Sequence, residues 1–151
     1  MMKTILAAVA MSALVAGPGI AQDSEKKVKM ADLPPAVQQA VKEHSKEGKL
    51  RGLATEMDKG KRVYEAELTV AGHSKDITFD AEGQVLSVEE ETTLASIPPL
   101  ARAAIESAAG QGKVLEVETV TEGGITFYEA QLKTGSKKSE IKVDAAGALV
   151  K

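Results

Sequence analysis

The chain has 151 residues, enough for one ordinary domain or two very small ones, and 43% of them are hydrophobic, as in a protein with a buried core. Only 3% are aromatic, namely Tyr64, Phe79, Phe127 and Tyr128, so the core must be built from Val, Leu, Ile and Ala, with no aromatic platform for stacking bases or sugars. The net charge of -3 offers no basic excess for nucleic acid, and the absence of Cys excludes disulfides, thiol catalysis and a thiol-attached lipid anchor.

Residues 1–21 read as a secretory signal: Lys3 near the start, an apolar stretch from Ile5 to Ala16, and small residues at Gly19 and Ala21 ahead of a cleavage point. The stretch is shorter than the roughly 20 residues that span a bilayer, so no stable membrane insertion is expected once the signal is removed. Loss of Lys3 leaves 18 basic and 22 acidic residues, with the acidic excess in residues 22–91. Residues 22–31, containing Asp23, Glu25, Lys26, Lys27 and Lys29, read as a flexible, solvated lead-in.

Two repeats follow, residues 32–91 and 92–151. Sliding the sequence against itself by 64 residues aligns Leu33-Pro34-Pro35 with Ile97-Pro98-Pro99, Tyr64-Glu65-Ala66 with Tyr128-Glu129-Ala130, and Asp80-Ala81 and Gly83 with Asp144-Ala145 and Gly147. Fifteen of the 55 positions from Leu33 to Ser87 are identical without a gap, which identifies a duplication.

In the first copy Val37, Ala40, Val41 and His44 show helical spacing, and Ala101, Ala104, Ile105 and Ala108 repeat it in the second. Each helix starts at a proline pair and ends near a glycine, Gly48 or Gly112. Strands are predicted at 49–57, 62–70, 75–80 and 84–90, then at 113–121, 126–134, 138–143 and 147–150. Lys59-Gly60, Ala71-Gly72, Gly123-Gly124 and Gly135-Ser136 mark hairpins, while Asp80 and Asp144 open type I turns closed by Gly83 and Gly147. The expected fold is α+β: a tandem repeat of one helix packed on a four-stranded antiparallel sheet. The five residues from Thr92 to Ser96 between the copies favour a shared interface or one eight-stranded sheet.

The motifs Leu33 to Val37, Tyr64 to Leu68 and Ile77 to Gly83, repeated at Ile97 to Ala101, Tyr128 to Leu132 and Ile141 to Gly147, resemble the PepSY-like, beta-lactamase-inhibitor-like family of exported bacterial proteins. The resemblance spans the mature chain. It implies a tandem of helix-plus-sheet modules in the periplasm or outside the cell, with inhibition of a peptidase or hydrolase as a suggested role. The chain departs from the family in its Asp-Ala-Glu-Gly and Asp-Ala-Ala-Gly turns, where an Asp-x-Asp-Gly type is common, and in lacking Cys.

The residues carry little that looks catalytic. Of the two histidines, His44 lies near a helix end and His73 in a hairpin turn, and the second copy has Ala108 and Lys137 in their places. Two histidines without cysteine do not make a usual zinc framework, and a calcium loop starting at Asp80 would need glycine where Val85 stands. Gly110-Gln111-Gly112 follows a helix instead of opening one, as a phosphate loop would. No catalytic, cofactor or metal residues are therefore assigned, and no enzyme activity is expected.

The expected function is that of an exported binding or regulatory module engaging a protein or peptide in the cell envelope. Its candidate surface is the outward sheet face carrying Val63, Glu65, Glu67, Phe127, Glu129, Gln131 and Lys133. Two alternatives are an envelope-stress or structural protein without a discrete site, and a weak cation binder using Glu89-Glu90-Glu91. A hydrolase built on paired carboxylates such as Glu65 with Glu67, or Glu116 with Glu118, would need an Asp or Glu strongly buried in a pocket.

Overall fold

In the computed structural model, which describes residues 25–150, the strands are β1 (Lys26–Lys27), β2 (Lys49–Asp58), β3 (Lys61–Val70), β4 (His73–Phe79), β5 (Val85–Thr92), β6 (Lys113–Glu122), β7 (Ile125–Thr134) and β8 (Lys137–Val143). They form one antiparallel sheet in the order of the sequence. Two helices, α1 (Pro35–His44) and α2 (Pro99–Ala109), pack on one face of it. The architecture is the expected α+β tandem with a shared eight-stranded sheet. The signal assigned to residues 1–21 lies outside the described residues.

Both helices begin with proline as the first helical residue, where no backbone N–H partner is lost. Val37 and Val41 of α1 are fully buried against Leu53, Ala66, Leu68, Ile77 and Phe79. Ala101, Ile105 and Ala109 of α2 do the same against Val117, Ala130, Leu132 and Val143. Each large apolar side chain buried this way contributes about 1.5–3 kcal/mol, so two parallel cores of alternate strand residues hold the helices down.

Two elements differ from the sequence reading. The lead-in is not free backbone throughout: Lys26 and Lys27 pair with Thr55 and Ala54, the Val28 N–H donates to the Leu53 carbonyl, and Val28 and Met30 pack on the first core. The lysine side chains stay exposed, which is why composition suggested solvated chain. Residues 147–150, expected as a strand, contribute a single bridge from Leu149 to Val143. The eighth strand is β1 instead. Its contacts with β2 match those of β5 with β6, since Lys26 opposite Thr55 becomes Glu90 opposite Thr119 after 64 residues. The duplication thus reaches back into the lead-in, and β5 serves both copies, pairing with β4 on one side and β6 on the other.

The turns after β4 and β8 have the chemistry expected of them. Asp80 Oδ1 accepts from the N–H groups of Glu82 and Gln84 at 3.0 and 2.8 Å, and Asp144 Oδ1 accepts from Ala146 and Ala148, both at 2.9 Å. These carboxylates close their own loops. Gly83 and Gly147 follow with φ of 79° and 80°, and a Cβ there would lie 2.7 Å from the Ala36 carbonyl oxygen or 2.6 Å from that of Leu100. The turn therefore presses directly on the first turn of the helix. Gly83→Ala should cost about 2 kcal/mol through the left-handed φ and the backbone clash, read as a lower urea midpoint with an unchanged slope.

Candidate functional site

Alternation along each strand sends one set of side chains under the helices and the other to the opposite face, which no described element covers. Cross-strand register places the whole candidate surface on that second face: Glu65 lies opposite Thr78, Glu67 opposite Asp76, Phe127 opposite Val120, Glu129 opposite Lys142 and Gln131 opposite Glu140, with Val63 and Lys133 in the same alternation. Val63 is only 4% exposed, so it lines the floor of the face; Phe127 is partly exposed and Lys133 is exposed.

Sequence reasoning named Glu89, Glu91, Glu118 and Glu129 in separate roles and overlooked Asp76; the register gathers all five. Asp76 stands opposite Glu89 across β4 and β5, Glu91 opposite Glu118 across β5 and β6, and Glu118 opposite Glu129 across β6 and β7. Like charges facing one another across a sheet repel, and this row crosses the junction of the two copies. Burial pushes Glu118 up to about 8, with Glu89 and Glu116 adding to it, and Glu89 up to about 7, with Glu129 and Asp76 contributing. Asp76 rises to about 6 through burial, opposed by the Arg51 guanidinium.

The cations on the face are divided between the copies. Both copies interrupt the pairing at equivalent places, between Leu50 and Gly52 and between Val114 and Glu116, so that Arg51 and Leu115 are the corresponding extra residues. Arg51 turns across β3, donating from Nε to the Leu68 carbonyl at 3.0 Å and from Nη2 to Ser74 Oγ and Asp76 Oδ1 at 2.7 and 3.1 Å. Glu140, which corresponds to Asp76, has leucine in place of that arginine.

The reverse holds for the lysine. Glu129 is 8% exposed and binds Lys142 Nζ at 2.8 Å, with the ammonium 5.1 Å from the centre of the Phe127 ring. Burial disfavours the Lys142 ammonium, but the hydrogen bond and charge of Glu129 outweigh it and raise its pKa. In the first copy the equivalents are Glu65, Thr78 and Val63. Glu65 is 9% exposed and, among the described residues, its carboxyl has no ion pair or hydrogen bond. Burial, followed by the charges of Asp76 and Glu25, pushes it up to about 8. It lies in a shallow depression with Glu25, Glu56, Val63 and Thr78.

The histidines are elsewhere. The His44 ring packs 5.6 Å from that of Phe79 beneath α1 and its Nδ1 lies 3.9 Å from Glu47, while His73 pairs with Val70 at the start of β4. The carboxylate face thus lacks an imidazole to activate a nucleophile. No group of three or more metal-ligating side chains is arranged to hold a metal ion among the described residues. Nor is any described helix long and apolar enough to cross a membrane. The face can offer a broad, partly desolvated acidic surface to a ligand with complementary charge.

The sequence profile of the family described as "Putative beta-lactamase-inhibitor-like, PepSY-like" matches residues 21–87 and again residues 62–151. The chain belongs to this family. No curated protein matches it. Among solved structures, a protein from Bacteroides eggerthii described as periplasmic is 20% identical with a TM-score of 0.66, over 79% of this chain and 86% of that one. A BLIP-like protein from Bacteroides fragilis is 22% identical with a TM-score of 0.58, over 79% of this chain and 84% of that one. At these identities the likeness concerns the fold alone. The family match starting at residue 21 agrees with the inclusion of β1 in the repeated unit.

Proposed function

We propose that this PepSY-like protein is an exported, non-catalytic binding module, acting in the periplasm, whose uncovered sheet face engages a protein of the cell envelope as an inhibitor or regulator. The observation that carries the reading is the asymmetry of the sheet. One face is sealed by two helices over apolar cores, whereas the other carries partly desolvated carboxylates with Phe127, Gln131 and Lys133 beside them. Such a face costs stability through unpaired charge, and a partner that supplies the missing countercharges offsets that cost.

The inhibitor-like description of the family and the BLIP-like description of one structural relative support the reading, as does the periplasmic description of another. The absence of histidine from the face argues against acyl transfer. Affinity capture from the envelope of the source organism, with the purified protein as bait, should retain a specific protein that binds again after purification. Phe127→Ser with Gln131→Lys, which removes the ring and sets a cation against a cationic partner, should weaken that purified interaction at least about tenfold in a variant that stays folded at the assay temperature. Undiminished binding by the double variant would move the interface off this face.

A further inference from the structure

The duplication supplies an internal template for what is missing from the first copy. In the second copy a nearly buried glutamate, Glu129, meets the ammonium of Lys142 beside an aromatic ring. In the first copy the glutamate is kept as Glu65, equally buried, but the residue opposite is Thr78, whose side chain carries no positive charge. The Glu65 side chain is largely buried but its carboxyl oxygens reach the surface, and a partly desolvated carboxylate without a countercharge is costly. Glu65 nevertheless faces a depression open at the sheet surface, lined also by Glu25 and Glu56.

We infer that Glu65 receives a lysine or arginine side chain from a polypeptide partner, in the place that Lys142 takes against Glu129. The inference rests on the reading of this face as a protein-binding surface and names the chemistry of the partner. A polypeptide fits better than a lone amine for two reasons. The depression has no interior space to enclose a free ligand. The carboxylates continue diagonally from Glu65 on β3 through Asp76 and Glu89 to Glu118 on β6, three strand spacings or about 14 Å across the sheet and four residues along it, further than one ammonium reaches. Charge complementarity therefore calls for several basic side chains on one segment.

The test uses a fluorescent peptide of about nine residues with Lys and Thr alternating, which presents its lysines on one side when extended. Anisotropy titrations compare the wild-type protein with Thr78→Lys and Glu65→Gln at low salt. The wild type should bind, and both variants should bind at least about tenfold more weakly, Thr78→Lys because its own ammonium occupies the position. A melting temperature of Thr78→Lys at or above that of the wild type verifies that the variant folds with the new pair made. An alternating Glu-Thr peptide should not bind.

Equal affinity of wild type and Thr78→Lys for the Lys-Thr peptide, or no binding to the wild type, overturns the inference. Displacement of the peptide by spermine at the same concentration of positive charge would replace the polypeptide with a small polyamine, and so also overturns it. These failures leave the broader binding function testable by the Phe127→Ser and Gln131→Lys double variant, whose substitutions lie in the other copy. Loss of the capture interaction in that variant, together with unchanged peptide binding in Thr78→Lys, separates the two.

Discussion

Shifting the protein from about pH 8.5 to about pH 5.5 should raise its melting temperature by about 10 °C, the reverse of the behaviour of a protein held together by carboxylate salt bridges. Glu65 and Glu118 are pushed up to about 8 and Glu89 to about 7, in each case first by burial and then by neighbouring carboxylates. Their usual value is near 4.5, so between that value and the folded one the native state holds protons that the unfolded chain has released. Stability must then fall as pH rises through the window. Glu65 alone accounts for on the order of 2–4 kcal/mol, less than its full shift implies because water and side chains relax around the charge.

Glu47 has the opposite sign. Its hydrogen bond and ion pair with Lys75 lower its pKa, so that contribution is lost only as pH falls below the ordinary glutamate range. Thermal melts followed by circular dichroism across the window check the prediction. Glu65→Gln should flatten the curve by removing one of the two largest proton uptakes. A melting temperature that instead climbs with pH would mean that the carboxylates of this face are paired in solution.

The second large effect concerns Lys142. Lys142→Met keeps much of the side-chain volume but strips Glu129 of its ammonium at 2.8 Å and leaves a carboxylate that is 8% exposed without a partner. The cost should be about 3–5 kcal/mol near pH 8, since an uncompensated buried charge costs more than the intact pair contributes. Adding Glu129→Gln to Lys142→Met should restore most of the loss, because the neutral amide needs no countercharge. Urea unfolding of the two single variants and the double variant gives the coupling directly. A cost below about 1 kcal/mol for Lys142→Met would identify the pair as an ordinary solvated surface contact.

Together the two predictions describe one face in two states of completion. In the second copy the buried glutamate has its cation within the chain; in the first no described residue supplies one. The arginine is distributed the other way, with Arg51 on Asp76 and Leu115 near Glu140. The shared carboxylates belong to the repeated scaffold, while the cations are private to each copy. Specific recognition has room to reside in those private differences.

The helices, the long strands and the turns were legible in the sequence because each is governed by local periodicity and turn chemistry. Val37 and Val41 recur at helical spacing, Tyr64, Ala66 and Leu68 at strand spacing, and Asp80 with Gly83 closes a turn; the structure has them in those states. The 64-residue duplication was equally plain, since it is a property of residue order alone. So was the grouping of Val63, Glu65 and Glu67 on one side of their strand and of Phe127, Glu129, Gln131 and Lys133 on one side of theirs, which follows from alternation within each strand.

What only the tertiary structure decided depends on which strands become neighbours. Lys26 and Lys27 form a strand because the edge of β2 offers unpaired backbone groups, which nothing in a run of solvated lysines announces. The Glu129 to Lys142 pair, and its absence at Glu65 and Thr78, required the register of β3 with β4 and of β7 with β8. The interrupted pairing at Arg51 and Leu115 brought one guanidinium onto Asp76 across a strand. Crowding of carboxylates at the junction arose from two copies sharing β5. Charge repulsion and desolvation depend on distances across the sheet, and those distances exist only once the two copies are joined.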